Sequence, residues 1–127
     1  MDTIRSEQAS QGCVIDVTDD DFDIAVVERS RAVPVLVDFW APWCGPCRML
    51  GPVLERVAAD MGGRLQVARL NVDENPTTAA RFQVHGIPLV KLFCEGAAIA
   101  EFVGAVPETA VRAFLDQHLP CEAAGEV

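Results

Sequence analysis

At 127 residues the chain has the length of one domain, and a composition half hydrophobic and 23% charged excludes a disordered chain and suits a single globular core. Ten Lys and Arg against nineteen Asp and Glu leave a formal charge of −9, which repels phosphate backbones and anionic lipid heads and argues against nucleic acid as a partner. No apolar run reaches the ~18 residues that would cross a membrane.

The stretch Met1 to Gly12 is polar, with Arg5, Glu7, Gln8 and Gln11, and lacks the apolar segment of a secretory signal. Val14, Ile15 and Val17 read as a short strand, after which Thr18 supplies an N-cap and Asp19, Asp20 and Asp21 the acids of a first helical turn. Glu28 to Arg31 reads as a solvated loop. Val33 to Trp40 is a nearly continuous apolar run, the pattern of a central strand buried on both faces, interrupted only by Asp38. From Cys44 onward Leu50, Leu54, Val57, Ala58 and Met61 recur at helical spacing, with Pro52 expected to kink the helix and Gly62-Gly63 to end it.

Leu65 to Val72 reads as a strand and Pro76 to Phe82 as a short helix. Leu89 to Phe93 and Ile99 to Val103 form an expected hairpin around the Glu95-Gly96 turn. Pro107 at a first helical position, with Val111, Phe114, Leu115 and Leu119 on one stripe, closes the chain with an amphipathic helix. This order implies an α/β sandwich: a mixed sheet with helices on both faces. The domain is expected over residues 14–119, with a flexible N-terminal extension over 1–13 and a flexible tail over 120–127.

Cys44 and Cys47 stand three apart at a helix start, on one face. The backbone N–H groups that a helix leaves unpaired there stabilise thiolate over thiol, chiefly at Cys44, and thiolate is the form that attacks a disulfide. Gly45 allows a substrate chain to come close, and Pro46 sets a helical φ without needing a donor. The same spacing is half of a zinc site, but a four-ligand site needs a second pair, and no further Cys-x-x-Cys or His-x-x-His occurs. That favours redox chemistry over metal binding. Asp38 stands out independently, because a carboxylate in an apolar strand is costly without a partner or a task.

The run from Asp38 to Cys47, Asp-Phe-Trp-Ala-Pro-Trp-Cys-Gly-Pro-Cys, resembles the active-site signature of the thioredoxin family, and the likeness extends from about Val14 to Leu119 through Asp73 to Pro76, Gly86-Ile87-Pro88, Gly96 and Val103-Gly104. The resemblance implies the thioredoxin fold, a central mixed five-stranded sheet flanked by four helices. It implies a protein-disulfide reductase in which Cys44 attacks the target, Cys47 resolves the mixed disulfide, and Asp38 accepts the proton of Cys47. It makes Ile87-Pro88 a cis bond beside the sulfurs. It further places Trp43, Gly45, Pro46, Val72, Ile87, Pro88, Val103, Gly104 and Ala105 on an apolar rim that docks extended, disulfide-containing segments.

Arg69 stands where thioredoxins commonly have a lysine near the buried acid, and its permanent charge would hold Asp38 more acidic than lysine would. Leu89 stands where Thr is common, which bears on substrate preference. The resemblance also implies no bound cofactor or metal, recharging by an NADPH-dependent thioredoxin reductase, and a cytoplasmic monomer. An oxidant or isomerase of the same fold, and a binding subunit that works independently of the dithiol, are the alternatives; Gly45-Pro46 leans toward reduction. His85 and His118 are each isolated and are assigned no role. Cys13, Cys94 and Cys121 lie at no regular spacing and read as inert free thiols, which fits a reducing compartment.

Overall fold

A computed structural model describes residues 13–120; apart from Cys13 and Pro120, the expected extension and tail lie outside the described residues. Five strands form one mixed sheet: β1 (Val14–Asp16), β2 (Val35–Trp40), β3 (Gln66–Asn71), β4 (Leu89–Cys94) and β5 (Ala97–Val103), in the spatial order β1-β3-β2-β4-β5. β3 pairs in parallel with β1 and β2, whereas β4 runs antiparallel to both β2 and β5. The helices are α1 (Asp23–Glu28, π-helical, continued by a 3-10 turn over Arg29–Arg31), α2 (Gly45–Met61), α3 (Pro76–Arg81) and α4 (Glu108–His118). Among the described residues no helix is long and apolar enough to cross a membrane.

The apolar run of β2 is central, as its composition requires, and alternation along it feeds two cores. Leu36 joins Leu50, Leu54, Val57 and Ala58 of α2 and Val111 and Leu115 of α4 on one face. Val35, Val37 and Phe39 join Phe22 and Val26 on the other, where Phe22, Phe82 and Phe93 stack at centroid distances of 5.4 to 5.8 Å. Asp38 shares the parity of Leu36, so its carboxylate faces α2, which begins at the dithiol. α2 continues on both sides of Pro52 and ends at Gly62, whose φ of 58° is the positive value a glycine cap supplies.

Several local expectations change. Thr18 does cap a turn, since its hydroxyl oxygen accepts the N–H of Asp21 at 3.4 Å and its own N–H donates to Asp21 Oδ1 at 2.7 Å, but Asp19 serves a different helix: its carboxylate accepts the N–H groups of Thr77 and Thr78 at the start of α3. Glu28 to Arg31 is helical rather than a loop. Ser30 within it is buried, and its hydroxyl donates to Val27 O and accepts the N–H of Gly96, so the segment seats the β4–β5 turn. Pro107 occupies the N-cap of α4, one residue before the first helical residue Glu108, rather than the first helical position expected for it.

Gly96 holds φ at +86°, and a Cβ there would meet the exposed Arg31 guanidinium at 2.7 Å. Because Arg31 can swing aside, the left-handed backbone sets the cost. Gly96→Ala is expected to lose about 1 to 2 kcal/mol in urea unfolding, and an unchanged midpoint would contradict this account of the turn.

Candidate active site

Cys44 is the N-cap of α2, in extended conformation (φ −90°, ψ 108°), with Pro46 in the first turn where no donor is needed. Its sulfur accepts the backbone N–H of Cys47 at 3.2 Å. Cys44 and Cys47 form a disulfide with Cα atoms 5.3 Å apart, so the structure shows the oxidised state. Cys44 is 4% exposed and Cys47 is fully buried, packed with Ala41 beneath Trp40, Val72 and Ile87. The loop before the helix is braced twice: Cys44 N–H donates to Ala41 O at 3.1 Å, and Arg48 Nη1 reaches back to Pro42 O at 2.6 Å.

Asp38 is wholly buried on β2, opposite Arg69 of β3 in the sheet register. Arg69 Nε stands 3.5 Å from Asp38 Oδ2, and its guanidinium lies 4.5 Å over the Trp40 ring. Burial pushes the Asp38 carboxyl up to about 6, while the nearby charge of Arg69 pulls against the rise. The Arg69 side chain passes under α2 at Gly51, where a Cβ would lie 3.7 Å from its Nη2. Neither Asp38 oxygen has a hydrogen-bond partner among the protein atoms, nor does Trp40 Nε1, so the carboxylate is free to accept a proton.

The residues expected on the rim come from four segments. Trp43 is exposed, and its indole N–H donates to Asp73 Oδ2 at 2.8 Å, which fixes the ring beside Cys44 in sequence. Gly45 and Pro46 are exposed; Val72 and Ile87 are half-buried against the sulfur cluster. Ile87-Pro88 is cis, and Gly104 N–H donates to Pro88 O at 2.8 Å, which holds Val103 and Gly104 alongside it. Ala105 follows Gly104 at the exposed end of this edge. Among the described residues no three His, Cys, Asp or Glu side chains gather as a metal site.

The family model for Thioredoxin matches residues 13–117. The chain is 42% identical over 106 residues to a thioredoxin of Haemophilus influenzae, covering 84% of this chain and 97% of that protein. It is 46% identical over 106 residues to a thioredoxin of Acidithiobacillus ferridurans, covering 84% and 96%, and 46% identical over 103 residues to thioredoxin 1 of Synechococcus elongatus, covering 81% and 94%. The chain belongs to the thioredoxin family. It is a thiol-disulfide oxidoreductase that reduces protein disulfides, and its redox group is the Cys44-Cys47 disulfide rather than a bound cofactor.

Set beside other thioredoxins, two departures now have a structural account. Arg69 does reach Asp38. Leu89 is buried in the core with Phe22, Val37 and Phe93. Trp40 packs against the cysteine cluster, with the Arg69 guanidinium over its ring. His85 is exposed, and His118 packs on Phe114 at 4.8 Å. Of the remaining cysteines, Cys13 is a free thiol, Cys94 is disulfide-bonded rather than free, and Cys121 lies outside the described residues.

Asp73 and Arg48 are not legible as site residues from the sequence. Arg48 carries a partial signal, a cation in the first turn of the helix. Asp73 acts through a partner distant in sequence, Trp43, which no local pattern connects.

Proposed function

We propose that the disulfide-reductase chemistry runs through Cys44 as attacking thiolate, Cys47 as resolving thiol and Asp38 as proton acceptor, with Arg69 setting the acidity of Asp38. The observation that carries the assignment is the Cys47 N–H donated to the Cys44 sulfur at the helix start, because a donor aimed at that atom stabilises its anion. Cys44 thiolate attacks one sulfur of the target disulfide and expels the other as thiolate. Cys47 gives its proton to Asp38 and attacks the Cys44 sulfur, releasing the second target thiolate. The target gains two electrons and the dithiol becomes the disulfide seen here.

The rim of Trp43, Gly45, Pro46, Val72, Ile87, Pro88, Val103, Gly104 and Ala105 receives an extended segment, whose backbone pairs with the Pro88 edge. The oxidised protein is recharged by an NADPH-dependent thioredoxin reductase. It acts as a cytoplasmic monomer, built on a domain over residues 14–119 between an extension (1–13) and a tail (120–127). Coupled NADPH oxidation with such a reductase and insulin as acceptor tests the recharging, and sedimentation equilibrium tests the monomer.

The role of Arg69 is open to a separate test. In Arg69→Gln the Asp38 pKa is expected to rise from about 6 by about one unit or more as the opposing charge is lost, and Arg69→Lys is expected to fall between the two. Carboxyl carbon NMR reads the titration directly; an unmoved Asp38 in both variants would remove Arg69 from the mechanism.

A further inference from the structure

Asp38 and Trp40 stand two residues apart on β2 and therefore point to one face, and the sheet register brings Arg69 of β3 opposite Asp38. No hydrogen bond aims the guanidinium there: among the described residues neither Arg69 Nε nor either oxygen of Asp38 has a hydrogen-bond partner. The indole supplies the hold instead. The centre of the guanidinium lies 4.5 Å over the Trp40 ring, within the range at which a flat cation stacks on an aromatic face. The same side chain packs against Ala41, Cys44 and Cys47. We infer that Trp40 is a positioning residue for disulfide exchange, its ring holding the Arg69 guanidinium beside Asp38 and tying that pair to the dithiol. This role rests on Arg69 setting the acidity of Asp38, as proposed above, and adds what keeps Arg69 in place.

The arginine needs such a hold. Its side chain is 23% exposed, so a guanidinium released from the ring has water within reach, where its charge is better hydrated and farther from Asp38. No other cation takes its place. Of the elements around Asp38, α2 begins at the dithiol and its Arg48 turns back to Pro42 O, while β4 sets the apolar Val90 opposite the carboxylate. Lys91, next along β4, lies on the other side of the sheet, over the Phe82 ring and paired with Glu101 of β5. Among the described residues Arg69 is the one charge that pulls on Asp38.

Ring-current shielding in NMR reads the stack directly. In the parent the Arg69 Nε–H proton, identified by its loss in Arg69→Gln, is expected to resonate upfield of the other arginines, to remain there in Trp40→Phe and to move back toward them in Trp40→Leu. Function is read in single-turnover resolution of the mixed disulfide against pH. The acid limb, set by Asp38 at about 6 in the parent, is expected to shift up by about half a unit in Trp40→Leu and to stay in place in Trp40→Phe, which keeps a ring face. In Arg69→Gln, where the limb has already moved, adding Trp40→Leu is expected to move it no further.

A limb that moves in Arg69→Gln but not in Trp40→Leu overturns the positioning role and leaves that of Arg69 intact. A limb unmoved in Arg69→Gln removes Arg69 from the mechanism and this role with it. Additive shifts in the double variant would show Trp40 acting on Asp38 without Arg69, and would overturn the role as well. An unshielded Arg69 resonance in the parent overturns it with no Trp40 variant at all, so the test stands even where Trp40→Leu does not fold.

Discussion

Cys44→Ser is expected to lower dithiothreitol-driven insulin reduction to the rate that dithiothreitol alone sustains. The helix start and the Cys47 N–H at 3.2 Å stabilise an anion at this atom, but a serine hydroxyl is far too weak an acid for that help to ionise it at neutral pH. Cys47→Ser is expected to fail differently. Its Cys44 still attacks, so one equivalent of target accumulates as a stable mixed disulfide, visible by mass, with no turnover after it. The contrast separates the two sulfurs: if Cys44→Ser retained turnover, or if Cys47→Ser trapped no adduct, the order of attack proposed here would be wrong.

The second large effect belongs to Asp38→Asn, and it has opposite signs in stability and rate. Burial holds the Asp38 carboxyl at about 6 against an ordinary value of 3.8. Between those values the folded chain keeps a proton that the unfolded chain has released, so stability falls as pH rises from about 4 to about 6, and the whole cost stands above that. The difference corresponds to about 3 kcal/mol. Asn has no charge to bury, so the oxidised variant is expected to be more stable than the parent by about 2 to 3 kcal/mol at pH 7 and no more stable at pH 4.

The rate moves the other way, since Cys47 loses the group that takes its proton. Resolution of the mixed disulfide at pH 7 is expected to slow about 10- to 100-fold, and the parent's own fall in rate below pH 6, as Asp38 becomes protonated, should be absent from the variant. Urea unfolding at the two pH values and single-turnover kinetics read these effects independently. A stability gain equal at pH 4 and pH 7 would show that something other than the Asp38 charge is responsible.

Much of the fold could be read along the chain because its elements are governed by local patterns. The apolar run of β2, the helical recurrence from Leu50 to Met61 and the Gly62 cap each depend on residues a few positions apart, and each appears where it was expected. Glu28 to Arg31 was misread for the converse reason: its charges look solvated, while Ser30 among them is buried by the Glu95-Gly96 turn, more than sixty residues away. Asp19 looked like an acid of its own helix, yet it caps α3 from across a gap of 58 and 59 residues.

The dithiol itself was determined by sequence alone. Two cysteines flanking Gly45-Pro46 at a helix start are placed by one helical turn, and that local geometry favours an anion at Cys44. What surrounds them was decided only by tertiary structure. The sheet register sets Asp38 beside Arg69. Trp43 is held by Asp73, thirty residues on, and Leu89, a candidate for substrate choice, turns into the core. A charge buried in the interior has its energy set by whatever the fold brings within a few ångströms, and composition and periodicity carry no record of those neighbours.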